Sequence, residues 1–365
     1  MKILGIETSC DETAAAVVEN GVKIISNVVA SSQSLHAKSG GIIPENAARE
    51  QVKSIIPVIK ECVFQMTQNT QTARLSESQT IRYSDIRSSP SFPKVEAIAV
   101  TVGPGLIGSL LVGVETAKTL ALVWKKPIVP VNHLIGHIYA NWLISENSEN
   151  SENLINQKFR KSDAPSFPAL VLLVSGGHTE LILMKDHGKF KLLGSTRDDA
   201  AGECFDKGAR ILNLGYPGGP AIEAAASQLS TINYQLSTRL PRPMINQKNY
   251  DFSFSGLKTA LANQLTNYPP NFLAYELQEA ITDVLVKKTL RAAEEFKVKN
   301  ILLAGGVAAN SRLREKFQIP NSKFQIFCPP INLCTDNAAY IASAAFFNFH
   351  PVPWQKIEAN SCLDF

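Results

Sequence analysis

One supersecondary pattern occurs twice in this chain, and it restricts the fold more than any other feature. Residues 2–6 read as a buried strand. A polar loop follows, Glu7-Thr8-Ser9-Cys10-Asp11-Glu12-Thr13. Residues 14–18 and 22–29 then read as two strands joined at Asn20-Gly21. That dipeptide supplies the positive φ angles of a tight hairpin. The same order returns about 165 residues later. There the strand is 169–174, the loop is Ser175-Gly176-Gly177-His178-Thr179-Glu180, and strands 181–184 and 190–193 join at His187-Gly188. Two copies of one unit predict a duplicated, two-lobed α/β architecture that holds its ligand between the lobes. With 365 residues, each lobe can bury a core of its own.

Other segments fill in around this frame. Residues 45–66 carry Val52, Ile55, Ile56, Ile59, Val63 and Met66 at helical spacing. A strand at 97–102 runs into Gly103-Pro104-Gly105-Leu106-Ile107-Gly108 and a helix ending near 124. This glycine spacing imitates a dinucleotide fingerprint, which wants an acidic residue about twenty positions on. The chain has Lys125-Lys126-Pro127-Ile128-Val129-Pro130-Val131 there, so the run reads as a tight strand-to-helix turn. Further on, the pattern predicts a helix over 198–214 and two long helices after Lys258, the second over 275–296. Strands at 300–303 and 324–327 and a small-residue helix over 338–347 complete it. Three polar insertions, 67–93, 145–168 and 227–241, lack apolar periodicity. The expected lobes are 1–130 and 131–345, with a tail over 346–365.

Composition narrows the class. Hydrophobic content of 45% and charged content of 19% are those of a globular protein. No apolar run is expected to reach membrane-spanning length, and Glu7 comes too early for a signal peptide, so the chain reads as cytoplasmic. Six scattered cysteines form no Cys-x-x-Cys, which argues against a thiolate zinc site or a disulfide framework. A net charge of +4 permits a nucleic-acid partner without requiring one.

Chemistry concentrates in a few places. His133 and His137 follow a short strand at 127–131, with Asn132 as a helix N-cap. Four apart on a helix, they share one face, where two imidazoles can bind one transition-metal ion. The alternative is one core histidine and one surface histidine without metal. A zinc protease of the His-Glu-x-x-His type needs Glu as general base, and Leu134 stands in that place. Three glycine-bearing turns follow buried strands, at 5–13, 175–180 and 305–310. Such turns can present backbone N–H groups to a phosphate, or they can simply be tight turns. Acidic candidates for a metal are Asp11, Glu12, Asp206 and Asp336, the last also a plausible helix cap. His178 could touch a ligand phosphate, whereas His36 and His350 carry no signal.

Taken together, these motifs resemble the universal tRNA adenosine threonylcarbamoyltransferases, the TsaD family of bacteria, within the actin, sugar-kinase and chaperone (ASKHA) superfamily. The resemblance runs through Gly5–Thr13, Gly40-Gly41-Ile42-Ile43-Pro44-Glu45, Gly103-Pro104-Gly105-Leu106, His133 with His137, Ser175-Gly176-Gly177-His178-Thr179 and Asp198-Asp199-Ala200-Ala201-Gly202-Glu203 through Asp206-Lys207. It continues in Tyr216-Pro217-Gly218-Gly219-Pro220, Phe252-Ser253-Phe254-Ser255-Gly256-Leu257-Lys258, Ala304-Gly305-Gly306-Val307 with Asn310, and Cys334-Thr335-Asp336-Asn337. Asn132 stands where many members have a further histidine. The resemblance implies transfer of threonylcarbamoyl from threonylcarbamoyl-AMP to N6 of the adenosine 3′ to the anticodon in tRNAs reading ANN codons. It implies one iron or zinc per subunit on His133, His137 and Asp336. Donor contacts would be Leu173, Val174, Ser175, Gly176, Gly177, Asp206, Gly219, Glu223 and Asn310. No separate nucleophile is implied, since the donor is already an activated mixed anhydride. The implied partners are tRNA, the paralogous pseudo-enzyme TsaB and the small ATPase TsaE, with no membrane. Competing classes are a nucleotide-gated ATPase of the same fold, a metallopeptidase, and a scaffold that carries tRNA.

Overall fold

The computed structural model describes residues 1–33, 35–36, 41–68, 94–144, 164–228, 239–318 and 323–364. Two five-stranded sheets dominate. The first contains β1 (Lys2–Glu7), β2 (Glu12–Glu19), β3 (Lys23–Ser31), β4 (Ala97–Gly103) and β5 (Ile128–Asn132), in the order β3-β2-β1-β4-β5. The second contains β6 (Ala169–Val174), β7 (Thr179–Asp186), β8 (Lys189–Ser195), β9 (Asn300–Ala304) and β10 (Gln325–Phe327), in the order β8-β7-β6-β9-β10. The two orders are the same. In each copy three antiparallel strands come first, and two parallel strands join the other edge of the first strand. The duplicated α/β fold expected from the repeat is therefore present strand for strand.

Ten helices are described. They are α1 (Pro44–Gln68), α2 (Ile107–Trp124), α3 (His133–Tyr139), α4 (Ala201–Ile211) and α5 (Gly218–Ser227), then α6 (Ser255–Ala262), α7 (Pro270–Glu295), α8 (Ser311–Phe317), α9 (Ile331–Cys334) and α10 (Ala339–Phe347). Strand alternation assigns each sheet two apolar faces. In β6, Leu170 and Leu172 point outward to Phe205 of α4 and Leu277 of α7. Val171 and Leu173 point inward to a core shared by both sheets. Leu134 and Ile138 of α3, with Tyr340 and Ile341 of α10, fill that middle layer. On the far side, Ile55 and Ile59 of α1 and Val114 of α2 cover Leu4, Ile98 and Val100. The layers thus run helix, sheet, helix, sheet, helix.

Several boundaries differ from those expected. A lobe limit at 130/131 would cut β5, whose pairing with β4 extends to Asn132. Helix α10, placed by sequence in the second lobe, lies on the inner face of the first sheet. The tail also packs on the first sheet, but on its outer face, where Ile357 joins the core covered by α1 and α2. Val352 bridges Ile128, Ile357 is buried, and the Asn360 N–H donates to the Val102 carbonyl at 2.7 Å. Continuity of apolar surface, rather than chain order, decides these memberships. The first helix after Lys258 proves short, Ser255–Ala262. Of the polar insertions, 69–93, 145–163 and 229–238 lie outside the described residues. One described helix, Ile107–Trp124, is long and apolar enough to cross a membrane by length and composition. It lies along β4 and α1, so the expectation that no run reaches spanning length is corrected in those terms.

Close backbone approach sets the seat of α10. A Cβ on Gly5 would fall 2.3 Å from the Ala338 carbonyl oxygen. Neither backbone can yield there without moving the helix. Gly5→Ala is expected to cost about 2 kcal/mol through overpacking, read as a lower urea midpoint with unchanged m-value.

Candidate metal centre and ligand cleft

Helix α3 begins where β5 ends. The Asn132 side chain accepts hydrogen bonds from the Leu134 N–H at 2.8 Å and the Ile135 N–H at 3.3 Å, the N-cap expected from sequence. Its amide nitrogen donates in turn to the Asp364 carbonyl at 3.2 Å, so one side chain ties the helix start to the tail. His133 and His137 are successive residues on one face, their ring centroids 4.7 Å apart.

Asp336 reaches them from the other end of the chain. Its Oδ1 lies 3.3 Å from His137 Nε2 and 3.7 Å from His133 Nε2. The three ligand atoms fall within 4.8 Å of one another. Donors around a tetrahedral ion held at about 2.0–2.1 Å stand roughly 3.3 Å apart, so the set fits a transition metal. Asp336 is not the helix cap. The Asn337 Oδ1 accepts from the Ala339 and Tyr340 N–H groups at 3.0 and 3.3 Å. With capping done by its neighbour, Asp336 is free to face the histidines.

Electrostatics support the grouping. Burial would lower the pKa of His133, but the Glu7 and Asp336 carboxylates outweigh it and raise it to about 9. His137 is lowered, chiefly by burial. Burial pushes Asp336 up, yet the two histidines and the Tyr340 hydroxyl bring it down to about 2. Burial, with the charges of Asp336 and Asp11, raises Glu12 to about 10. Among Asp11, Glu12, Asp206 and Asp336, only the last joins the histidines at ligand distance.

Across the cleft lie the other expected residues. Leu173 and Val174 end β6 and are fully buried, so their side chains belong to the cores and only their backbone can serve a ligand. Ser175, Gly176 and Gly177 form the turn beyond. The Ser175 carbonyl accepts from the Gly202 N–H at 3.2 Å, which docks α4 on the turn. A Cβ on Gly202 would lie 2.5 Å from that oxygen. At Gly305, φ is +87° and a Cβ would lie 2.4 Å from the Val174 carbonyl oxygen, so β9's turn presses directly on β6's. By contrast, a Cβ on Gly176, Gly177 or Gly219 would meet nothing within 4 Å. These three line open space that a ligand can enter. Asp206 accepts from the Gly218 N–H at 2.7 Å. Glu223 accepts from the Asn310 side-chain amide at 3.1 Å, and Asn310 caps α8 through the Leu313 N–H at 2.9 Å.

The two walls face each other. The Tyr216 hydroxyl is raised to about 12 by burial, then by Asp206 from one wall and by Asp11, Cys10 and Glu12 from the other. His178 is lowered by burial and by the charges of His133 and His137, which places the glycine turn beside the metal set. Sequence reasoning missed Glu7, Ser9, Tyr216 and Tyr340. Tyr340 donates to Asp336 Oδ1 at 3.4 Å, and its i+4 spacing from Asp336 was the available signal. For Glu7 the signal was a carboxylate closing a buried apolar strand.

The fold and site define an actin-like, two-lobed protein with a His-His-Asp set at the mouth of an inter-lobe cleft. The chain belongs to the TsaD family, described as tRNA N6-adenosine threonylcarbamoyltransferase, whose pattern matches residues 23–72 and 86–343. A tRNA N6-adenosine threonylcarbamoyltransferase of Dehalococcoides mccartyi is 48% identical over 352 residues, covering 96% of this chain and 94% of the relative. One from Thermomicrobium roseum is 47% identical, covering 95% and 92%. One from Bacillus subtilis is 46% identical, covering 96% and 91%. Among solved structures, HypF of T. kodakarensis superposes with a TM-score of 0.54 at 14% identity, over 95% of this chain and 47% of that one. That likeness is one of fold.

The Asn132 cap is open to a direct check. Asn132→Ala is expected to cost about 1 kcal/mol and to speed amide exchange at Leu134 and Ile135, measured by thermal denaturation and hydrogen exchange.

Proposed function

We infer that this protein transfers a threonylcarbamoyl group to N6 of an adenosine in tRNA. The observation that carries the reading is family membership along nearly the whole chain, joined to the convergence of His133, His137 and Asp336. The acceptor is the adenosine 3′ to the anticodon in tRNAs reading ANN codons, and the donor is threonylcarbamoyl-AMP. The amine nitrogen forms a bond to the carbamoyl carbon, the bond from that carbon to the phosphate oxygen breaks, AMP leaves, and the amine loses a proton.

That amine is a poor nucleophile because its lone pair is delocalised into the purine. Reaction therefore depends on holding donor and acceptor together and on polarising the donor. Gly176, Gly177 and Gly219 offer open backbone to the donor phosphate. Asp206, which accepts from the Gly218 N–H, and Glu223 and Asn310, which are joined by a side-chain hydrogen bond, are assigned to the ribose and adenine of an adenylate. Leu173 and Val174 give their carbonyl ends to the turn. His133, His137 and Asp336 would hold one iron or zinc ion, which when bound supplies a Lewis acid for the donor oxygens. Kinases and chaperones of this fold hold magnesium through carboxylate and phosphate oxygens, whereas two imidazoles select a softer ion.

The same reading includes a cytoplasmic setting, TsaB as a paralogous partner and TsaE as an ATPase partner. An exposed apolar stripe supports a protein partner on the first lobe. Val52 and Ile56 of α1 and Ile107 and Leu111 of α2 are all exposed, at 63, 47, 50 and 45%. The two helices meet where Gly108 approaches Ala48, so the four residues lie on adjoining helices.

The test is to incubate the purified protein with TsaB, TsaE, threonylcarbamoyl-AMP and tRNA, and to look for threonylcarbamoyladenosine by mass spectrometry. Product is expected; none with all partners present would remove the transferase reading. The double substitution His133→Ala/His137→Ala is expected to abolish transfer, at least 100-fold, while adenylate binding measured by calorimetry persists. Chelator-stripped protein should lose activity and regain it with iron or zinc. Full activity in metal-free protein would remove the metal from the reading.

A further inference from the structure

Glu7 is a fully buried carboxylate at the end of the central strand of the first sheet. All its nearest partners are donors or the ring of His133. Its Oε1 accepts from the Ser9 N–H at 2.5 Å. Its Oε2 accepts from the Thr101 hydroxyl at 2.5 Å and faces His133 Nδ1 at 3.1 Å. Thr101 is itself fully buried on β4, and the Ser9 N–H is fixed in the loop, so the carboxylate has one orientation.

From this geometry we propose that Glu7 is a positioning residue for the metal centre, one that holds the His133 ring with its Nδ1 protonated and its Nε2 turned to the ion. The inference rests on the metal reading above. An ionised carboxylate has only lone pairs, and an unprotonated Nδ1 at 3.1 Å would set lone pair against lone pair. The proton therefore sits on Nδ1 in the neutral ring. Nε2, the atom nearest Asp336, is left to coordinate. Ser9 Oγ, 3.2 Å from the same Nδ1, closes the remaining side. A carboxylate behind a metal-binding imidazole also raises its basicity and fixes its plane.

The two histidines are consequently unequal. His137 Nδ1 is buried and has no hydrogen-bond partner among the described residues. Its tautomer is set only by what Nε2 meets. His133 carries its orientation before any ion arrives.

Glu7→Gln tests this. Its amide cannot accept from Ser9, Thr101 and His133 together, since one end now donates. Stripped full-length protein is titrated with zinc against a chromophoric chelator, and the histidine nitrogens are read by ¹⁵N NMR. The wild type is expected to keep the His133 Nδ1 proton in stripped and zinc-loaded states, with zinc removing only the Nε2 proton. Glu7→Gln is expected to bind zinc about 10- to 100-fold more weakly. Zinc found on Nδ1 of His133 in the wild type would overturn the proposal, as would unchanged affinity in a folded Glu7→Gln protein. The wild-type spectra decide the matter should Glu7→Gln fail to fold. A wild type that takes up neither zinc nor iron would sink the metal reading instead, while the Nδ1 proton of the stripped protein would still judge the role of Glu7.

Discussion

The cleft depends on how closely two short helices approach each other between the sheets. Helix α3 starts at the end of β5 and carries both histidines, and α10 follows the Asp336 turn. They meet at Gly136, the residue just before His137. A Cβ there would lie 2.7 Å from Ile341 Cδ1 and from a ring carbon of Tyr340. That contact brings the Tyr340 ring to 4.7 Å from the His137 ring and Asp336 within reach of both imidazoles. Because α10 is seated on β1 through Gly5, the distance between ligands is set by backbone packing more than by flexible side chains.

The duplication has diverged in a chemically useful direction. At the end of β1, the first copy places Glu7, Cys10, Asp11 and Glu12. At the end of β6, the second copy places Ser175, Gly176 and Gly177. One wall is therefore acidic and packed, stitched by Gln51, whose amide donates to the Cys10 and Glu12 carbonyls at 2.9 and 3.0 Å. The other wall is open backbone. Carboxylates suit a cation, and open backbone N–H groups suit a phosphate. A ligand carrying both a phosphate and a metal-seeking group would span the two.

Much of this could be read in the residues. Asn20-Gly21 and His187-Gly188 marked the two hairpins, and Asn132 marked the start of α3. Each rests on local chemistry, such as a positive φ or a side-chain acceptor for free N–H groups. The tail was unreadable because Asn360 and Ile357 are held by tertiary neighbours, not by local pattern. Asp336 looked like a cap because Asp and Asn are nearly equal in that role. Only the fold shows that Asn337 takes it.

By itself the sequence determined the repeat, the succession of strand, loop and hairpin in each copy, and the family, whose resemblance in turn implied the three candidate ligands. Period-two and period-3.6 patterns and short-range turn chemistry are properties of neighbouring residues, so they survive without coordinates. Tertiary structure decided which lobe owns α10 and the tail, and that Glu7 stands behind His133. These are meetings of residues about 100 to more than 300 positions apart, and they are settled by which apolar faces close against which. Burial then turns proximity into charge and tautomer.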